Sequence, residues 1–562
     1  MDARPPFVDQ TAFVTPEPDE HGTRLAARWP VAAGALVAVA ALAVYANALG
    51  NGFVYDDDLI TLQNPVIRSL TNVPAMFGHG FWMGGYSPIL YRPVLEVLAA
   101  SVYAVAGLAP WAHHLLNVLL HAAASVLVFL LAERVLPPTR GRTGAALAGA
   151  LLFALHPIHV EAVTWVAGLS DLAFTVASLG ALLLHARARA GAPRLLGLAA
   201  AAFALAALSK EPALALPVVL LALDLAVAPG RPASDRARWM APYVAVAIGY
   251  VALRVSVLGA ALAPPVDAEG SPLLRALALS GRYLAKLVAP VHLTAVYLDD
   301  PVRSLADPRV LVAIPACAAF AAAAAWAWRR SRAALLALAL VAAPLAPVVA
   351  AAWSGERQIF AERYLYLPSA GLAIAAALAL QGLLARRPRA SVAAVAALAL
   401  GCGGAVVARN RVWRSDRTLW TDVTRKTPGF APAQAFVAFD LFRRERRDGE
   451  AREHFRAAMQ ADPAMARSIP ESLNGFAIQE LREGRTDEAV RELRLAIELA
   501  PGLAKAHANL GVAYATGGRV DEGIAELARA VELEPENAAS RANLERARSM
   551  RAARDGAGPR AP

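Results

Sequence analysis

The sequence predicts an all-α protein in two parts: a polytopic membrane helix bundle of about eleven spans, then a C-terminal helical solenoid. Three observations lead there. The 562 residues are 57% hydrophobic with a mean hydropathy of +0.43, above the apolar share of about 45–50% usual for soluble domains. Apolar stretches of membrane-crossing length recur as far as residue 408. Beyond that point the chain turns polar and repeats itself with a 34-residue period.

A bilayer crossing takes about 20 mostly apolar residues. Candidates lie near 30–49, 114–135, 144–160, 171–186, 195–208, 212–228, 239–258, 308–328, 333–352, 367–385 and 390–408. The first 28 residues are net acidic, unlike the basic start of a cleaved signal peptide. Residues 1–29 therefore read as a cytoplasmic tail before a retained signal anchor. The arginine-rich loops "PPTRGR" (137–142), "RARAGAPR" (187–194), "GRPASDRAR" (230–238), "RRSR" (329–332) and "RRPR" (386–389) all fall on one side. The positive-inside rule makes that side cytoplasmic and puts the chain beyond the last span outside. The run "ARNRVWRSDR" (408–417) resists, with four arginines just past the last span; long exported domains partly escape the rule. Two further apolar stretches, 93–108 and 276–296, spoil the charge pattern if counted as spans. They read as helices along the interface or re-entering from outside, with true spans as the alternative.

The net charge of +10 reports this loop topology, and no nucleic-acid motif accompanies it. The two cysteines, Cys317 and Cys402, lie in apolar segments, which argues against a disulfide framework or a cysteine metal site. The Ala, Arg and Leu bias suggests a GC-rich bacterial genome, hence a bacterial inner (cytoplasmic) membrane.

In the C-terminal part, residues 471–501 align with 506–535. Pro501 and Pro535, Gly484 and Gly518, Leu493 and Leu527, and Ala496 and Ala530 are each 34 apart. That is the period of the tetratricopeptide repeat, whose small residues let paired helices approach and whose proline ends the second helix. A weaker copy ends at Pro463, and residues 537–552 read as a capping helix. The repeat domain is expected over 409–552, with a disordered tail at 553–562. Such surfaces bind a peptide or protein partner and carry no chemistry themselves.

The membrane part, 30–408, concentrates its unusual residues in the outer loops. The first, about 50–113, opens with Asp56, Asp57 and Asp58 in "NGFVYDDDLITLQNP". A solvated turn that ends the first helix is the plain reading of those acids. Other polar groups share that face: Arg92 in "YRP", His156, His159, Glu161 and Asp171 in "HPIHVEAVTWVAGLSD", Lys210 and Glu211 in "SKEP", and Glu362, Arg363, Tyr364 and Tyr366 in "AERYLYLP". Together they point to one outward-facing site. Carboxylates there suit a general base toward a hydroxyl acceptor. Arginine, lysine and histidine suit a phosphate and the charge of a leaving group. A site at the membrane surface fits a donor whose phosphate is tethered to a lipid. His156 and His159 are three apart with Pro157 between them, a poor match to a zinc helix whose histidines are four apart, so no metal is assigned. A transporter would place its site nearer the midplane, with internal repeats. A membrane-anchored scaffold would not need so many polar motifs on one face.

The stretches "FVYDDDLITLQNPVI", "YRP", "FALHPIHVEAVTWVAGLSDL", "LSKEPALALP" and "AERYLYLPSAGL", followed by the repeats, resemble the transmembrane-and-tetratricopeptide O-mannosyltransferase family of GT-C glycosyltransferases. The resemblance runs from about residue 30 to the last repeat and implies a bacterial member. It implies inverting transfer of a sugar, commonly mannose, from a polyprenyl-phosphate donor to a Ser or Thr hydroxyl. By resemblance Asp56 is the general base and Asp57 supports it. Arg92, His156, His159, Lys210 and Arg363 are implied for the donor phosphate and its pocket. Glu161, Asp171 and Glu362 would position the sugar or those cations. The repeats would recruit the acceptor protein or an assembly partner. The resemblance does not fix metal use.

Overall fold

The computed structural model describes residues 20–81, 90–139, 141–259, 270–298, 300–353 and 360–556, and side chains from residue 29. Most of the expected N-terminal tail and residues 557–562 lie outside the described residues. Those described form helices and turns, with no strand among them. The chain divides into two compact units, 1–419 and 420–562.

The first unit is a helix bundle. Helices Pro93–Ala106, Pro110–Val135, Pro272–Val288, Pro308–Arg330, Pro368–Arg386 and Pro388–Asn410 all carry proline in the first turn, where its missing N–H costs nothing. Among the described residues, eight helices are long and apolar enough to cross a membrane, and the bent pair Arg142–Leu155 and Pro157–Thr164 makes up to nine. The protein is thus a multi-pass membrane protein. The other two expected spans appear as Leu195–Ser209 and Leu216–Val227, of 15 and 12 residues, below the usual span length of about 17–25. Lys210 and Glu211 separate their apolar runs in the sequence, and there the backbone is extended at Lys210 and a short turn, Glu211–Ala215, follows. Pro93–Ala106 and the amphipathic Pro272–Val288, of 14 and 17 residues, do not qualify as spans either.

Burial sorts the helices. Val166–Arg189 is 78% buried in its apolar window and occupies the centre, whereas Pro388–Arg414 is 6% buried and lines the periphery. The core between them is largely alanine, with Phe129, Phe153, Phe174 and Phe203 filling the gaps. In a bilayer, where hydrocarbon competes with apolar side chains, such small residues let helices approach closely enough for dispersion to hold them. At one end of the central helix, buried Asp224 accepts from His185 Nε2 (3.2 Å) and Arg189 Nε (2.5 Å) and also pairs with Arg236. This ties three helices together at the end opposite Asp171.

The second unit is a helical solenoid. Its pairs are Met465–Arg482 with Thr486–Leu499, and Ala504–Thr516 with Val520–Leu533, closed by Ala538–Gly556. Gly484 and Gly518 occupy equivalent turns with φ of +79° and +84°, a conformation that disfavours any side chain. The period-related pairs Leu493 and Leu527, Ala496 and Ala530, are all buried between helices.

Candidate active site

The acidic run forms a tight turn. Asp57 N donates to Val54 O (3.1 Å), and Val54 N donates back to Asp57 Oδ2 (3.0 Å). The other Asp57 oxygen accepts from Ala167 N (2.9 Å), so this buried carboxylate clasps its own turn to the segment after Trp165. Burial pushes its pKa up to about 8, against the opposing pull of the two N–H donors. Asp57 therefore builds the turn. Asp58 is exposed and accepts from Gln63 Nε2 (2.6 Å).

Asp56 is left at the tip. Its neighbour Tyr55 has φ +58°, rare for a side-chain-bearing residue, and is fixed by Tyr55 N donating to Asp416 Oδ1 (2.8 Å). The Tyr55 ring stacks on Trp165 at 5.4 Å. These restraints hold the strained turn open toward Arg363. The Asp56 carboxylate is half-buried and makes no hydrogen bond or ion pair among the described residues. Burial raises its pKa above the ordinary carboxylate value, and the nearby Arg363 charge opposes that shift.

Three cations converge on this place from distant parts of the chain. The Arg363 guanidinium lies 5.3 Å from the Trp165 ring centre and 5.2 Å from that of Tyr364. It pairs with buried Glu161, which also accepts Arg363 N (3.1 Å). Lys210 Nζ sits 4.8 Å from the Tyr364 ring centre and donates to both Asp171 oxygens at 2.6 Å. Arg92 meets Glu211 with Nε at 3.1 Å and Nη2 at 2.7 Å from Oε2, a forked pair that Arg254 extends at 3.4 Å. Burial draws the Lys210 pKa down to about 8; Asp171 opposes this, while the positive fields of Arg92 and Arg363 add to it. The charges of Arg92 and Arg363 thus both reach Lys210.

Exposure ranks the cluster. The Arg363, Glu211 and Arg92 side chains remain 25%, 22% and 16% exposed, against 4% for Lys210 and Asp171. Arg92, Glu211, Arg363 and Asp56 form the accessible layer. Lys210, Asp171 and Glu161 brace it from behind.

Three expected residues lie elsewhere. His159 is fully buried, bonds to Ser369 Oγ at 2.7 Å and packs against Phe153 and Tyr366. His156 caps the following turn, its Nδ1 accepting Ile158 N (3.3 Å). Both are core and helix-end groups in this arrangement, not part of the accessible layer. Glu362 accepts Thr294 N (2.7 Å) and Tyr297 OH (2.5 Å), which orders the segment after the Pro272–Val288 helix. Glu211, Tyr55, Trp165 and Arg254 had no assigned role in the sequence. The signal for Glu211 was present, a second charge beside Lys210 between apolar runs. The aromatic stack carried none. Among the described residues no three His, Cys, Asp or Glu side chains converge as metal ligands.

The family model for the tetratricopeptide repeat matches residues 504–537. The chain is 38% identical over 151 residues to the protein O-mannosyl-transferase Tmtc1 of Drosophila melanogaster, covering 26% of this chain and 17% of that protein. It is 35% identical over 158 residues to mouse TMTC3, also named a protein O-mannosyl-transferase, covering 27% and 17%. A Caenorhabditis elegans protein of that name, F38B6.6, is 30% identical over 149 residues, covering 26% and 21%. The matches thus span about a fifth or less of these relatives' length. The chain resembles the transmembrane-and-tetratricopeptide O-mannosyl-transferases over about a quarter of its own length, and it carries their kind of repeat at its C-terminal end.

Proposed function

We propose that this protein is a membrane glycosyltransferase that moves a sugar, mannose by resemblance, from a polyprenyl-phosphate donor to a Ser or Thr hydroxyl of an acceptor protein. The observation that carries the reading is the half-buried, unpartnered Asp56 carboxylate held opposite Arg363 at one end of a membrane helix bundle. Burial raises the basicity of Asp56, as a general base requires. As the acceptor oxygen attacks the anomeric carbon, its proton passes to Asp56. The bond between that carbon and the phosphate oxygen breaks, and the electron pair leaves with the lipid phosphate. Arg363 and Arg92, the exposed cations, stabilise the growing negative charge. Attack opposite the leaving group inverts the sugar. Lys210 with Asp171, and Glu161, keep the two arginines in place.

The charge pattern supports a site on the outer face, with the N-terminus in the cytoplasm. The composition supports a bacterial cytoplasmic membrane. The repeats supply a surface for the acceptor or an assembly partner. The test is purified protein in nanodiscs, given polyprenyl-phosphate mannose and exported host proteins, with products read by mass spectrometry. A hexose on Ser or Thr is the expected result. Failure of the protein both to transfer and to bind the donor would move the weight to a non-catalytic scaffold.

A further inference from the structure

The segment "AERYLYLP" carries two tyrosines two residues apart, and the fold gives them different surroundings. Tyr366 is 1% exposed, and its hydroxyl meets His121 Nδ1 at 2.7 Å inside the bundle. Tyr364 is half-buried beside Arg92, Lys210 and Arg363. Its ring centre lies 4.8 Å from Lys210 Nζ and 5.2 Å from the Arg363 guanidinium. Its phenol is also near enough to interact electrostatically with Arg92. Each of these cations already has a carboxylate partner: Glu161 for Arg363, Asp171 for Lys210 and Glu211 for Arg92. The Tyr364 hydroxyl has none, and it makes no hydrogen bond among the described residues.

Guanidinium and ammonium groups carry only donors, so they can meet the lone pairs of a phenol oxygen but not its proton. Their positive field turns the O–H away from them, toward an anion that enters the site. We propose that the Tyr364 hydroxyl is a catalytic hydrogen-bond donor to the lipid phosphate as that phosphate leaves the sugar. The inference rests on the transferase reading above. The donor phosphate is a diester with one negative charge, and breaking its bond to the sugar leaves a monoester with one more. A hydrogen bond to that phosphate strengthens as the charge develops, so it lowers the barrier more than it tightens donor binding. The phenol keeps its proton throughout, and the acceptor's proton still passes to Asp56. Tyr364 thus adds an uncommitted donor where the cations are already paired.

The test separates the ring from the hydroxyl. Tyr364→Phe keeps the ring against Lys210 and Arg363 and removes only the oxygen. Full-length wild type and variant in nanodiscs are titrated with polyprenyl-phosphate mannose and with polyprenyl phosphate, and transfer is followed in the same samples. Tyr364→Phe is expected to bind the sugar donor within about twofold of wild type and polyprenyl phosphate about tenfold more weakly. Its kcat should fall by about tenfold to a hundredfold with little change in KM for the donor. An equal loss of affinity for both ligands makes the hydroxyl a structural group and overturns the inference. Unchanged binding of polyprenyl phosphate also overturns it. Wild type that binds both ligands and is matched by Tyr364→Phe refutes this inference and leaves the transferase reading standing. Wild type that binds neither ligand refutes the transferase reading itself.

Discussion

Asp56 and Asp57 are adjacent carboxylates with different work. Asp57 satisfies two buried N–H groups, and each such donor left unpaired costs roughly 1–3 kcal/mol. Asp57→Ala is therefore expected to lower the thermal midpoint markedly, and Asp56→Asn to leave it nearly unchanged. Thermal unfolding of the detergent-solubilised proteins checks both. The sequence shows three acids in a row and offers no way to rank them, because the ranking comes from a backbone φ at Tyr55 and from Ala167, 110 residues beyond Asp57. Resemblance implies Asp56 as the base, and the proposal draws on the turn leaving that carboxylate without a hydrogen bond among the described residues. The histidines show the reverse case. Resemblance implies them for the donor-phosphate pocket, yet His159 bonds to Ser369 inside the bundle.

The same residues set a pH dependence. Asp56 acts as a base only when ionised, and burial raises its pKa, so activity should climb with pH along an acid limb above the ordinary carboxylate range. Lys210, with its pKa drawn down to about 8, loses its charge as pH rises past that value and leaves Asp171 without a partner. The pH profile of kcat/KM should fall there. Asp57 also titrates at about 8, so the discriminating variant is Lys210→Arg, which keeps the charge and should move the alkaline limb upward.

At the scale of elements, the break between Leu195–Ser209 and Leu216–Val227 is held to the central helix by the Lys210–Asp171 pair. Removing one partner of a buried pair strands a charge, at a cost of about 3–5 kcal/mol, whereas replacing both is much milder. Asp171→Asn should therefore destabilise the protein more than Asp171→Asn with Lys210→Met, as measured by denaturant unfolding. Gly168 is a second such point. A Cβ there would lie 2.2 Å from the Ala162 carbonyl, so the loop that carries Trp165 and Ala167 tolerates no side chain at this position. Hydropathy located the helices well, because an apolar run of span length has few alternatives. It also separated the runs 195–208 and 212–228 at Lys210, but started the second helix early, because the apolar residues of the Glu211–Ala215 turn read like the helix that follows them.

At the scale of the molecule, the two-part organisation was the most legible feature. A 34-residue period survives any uncertainty in helix boundaries, and the equivalent glycine turns and buried leucines match it. Orientation rests on the arginine loops. With Cys317 and Cys402 replaced by Ala, a cysteine at Asp58 should react with a membrane-impermeant maleimide in intact cells. One at Arg330 should react only after permeabilisation, because both positions are exposed but lie on opposite sides in this topology. The reverse pattern inverts the protein and places the site in the cytoplasm.

The central claim is that Asp56 takes the acceptor's proton. The most direct measurement compares wild type with Asp56→Asn in nanodiscs containing polyprenyl-phosphate mannose, recording donor binding and hexose transfer in the same samples. The account predicts unchanged donor binding and transfer reduced by about a hundredfold or more, the usual loss when a general base is removed. Near-normal transfer by Asp56→Asn would contradict it.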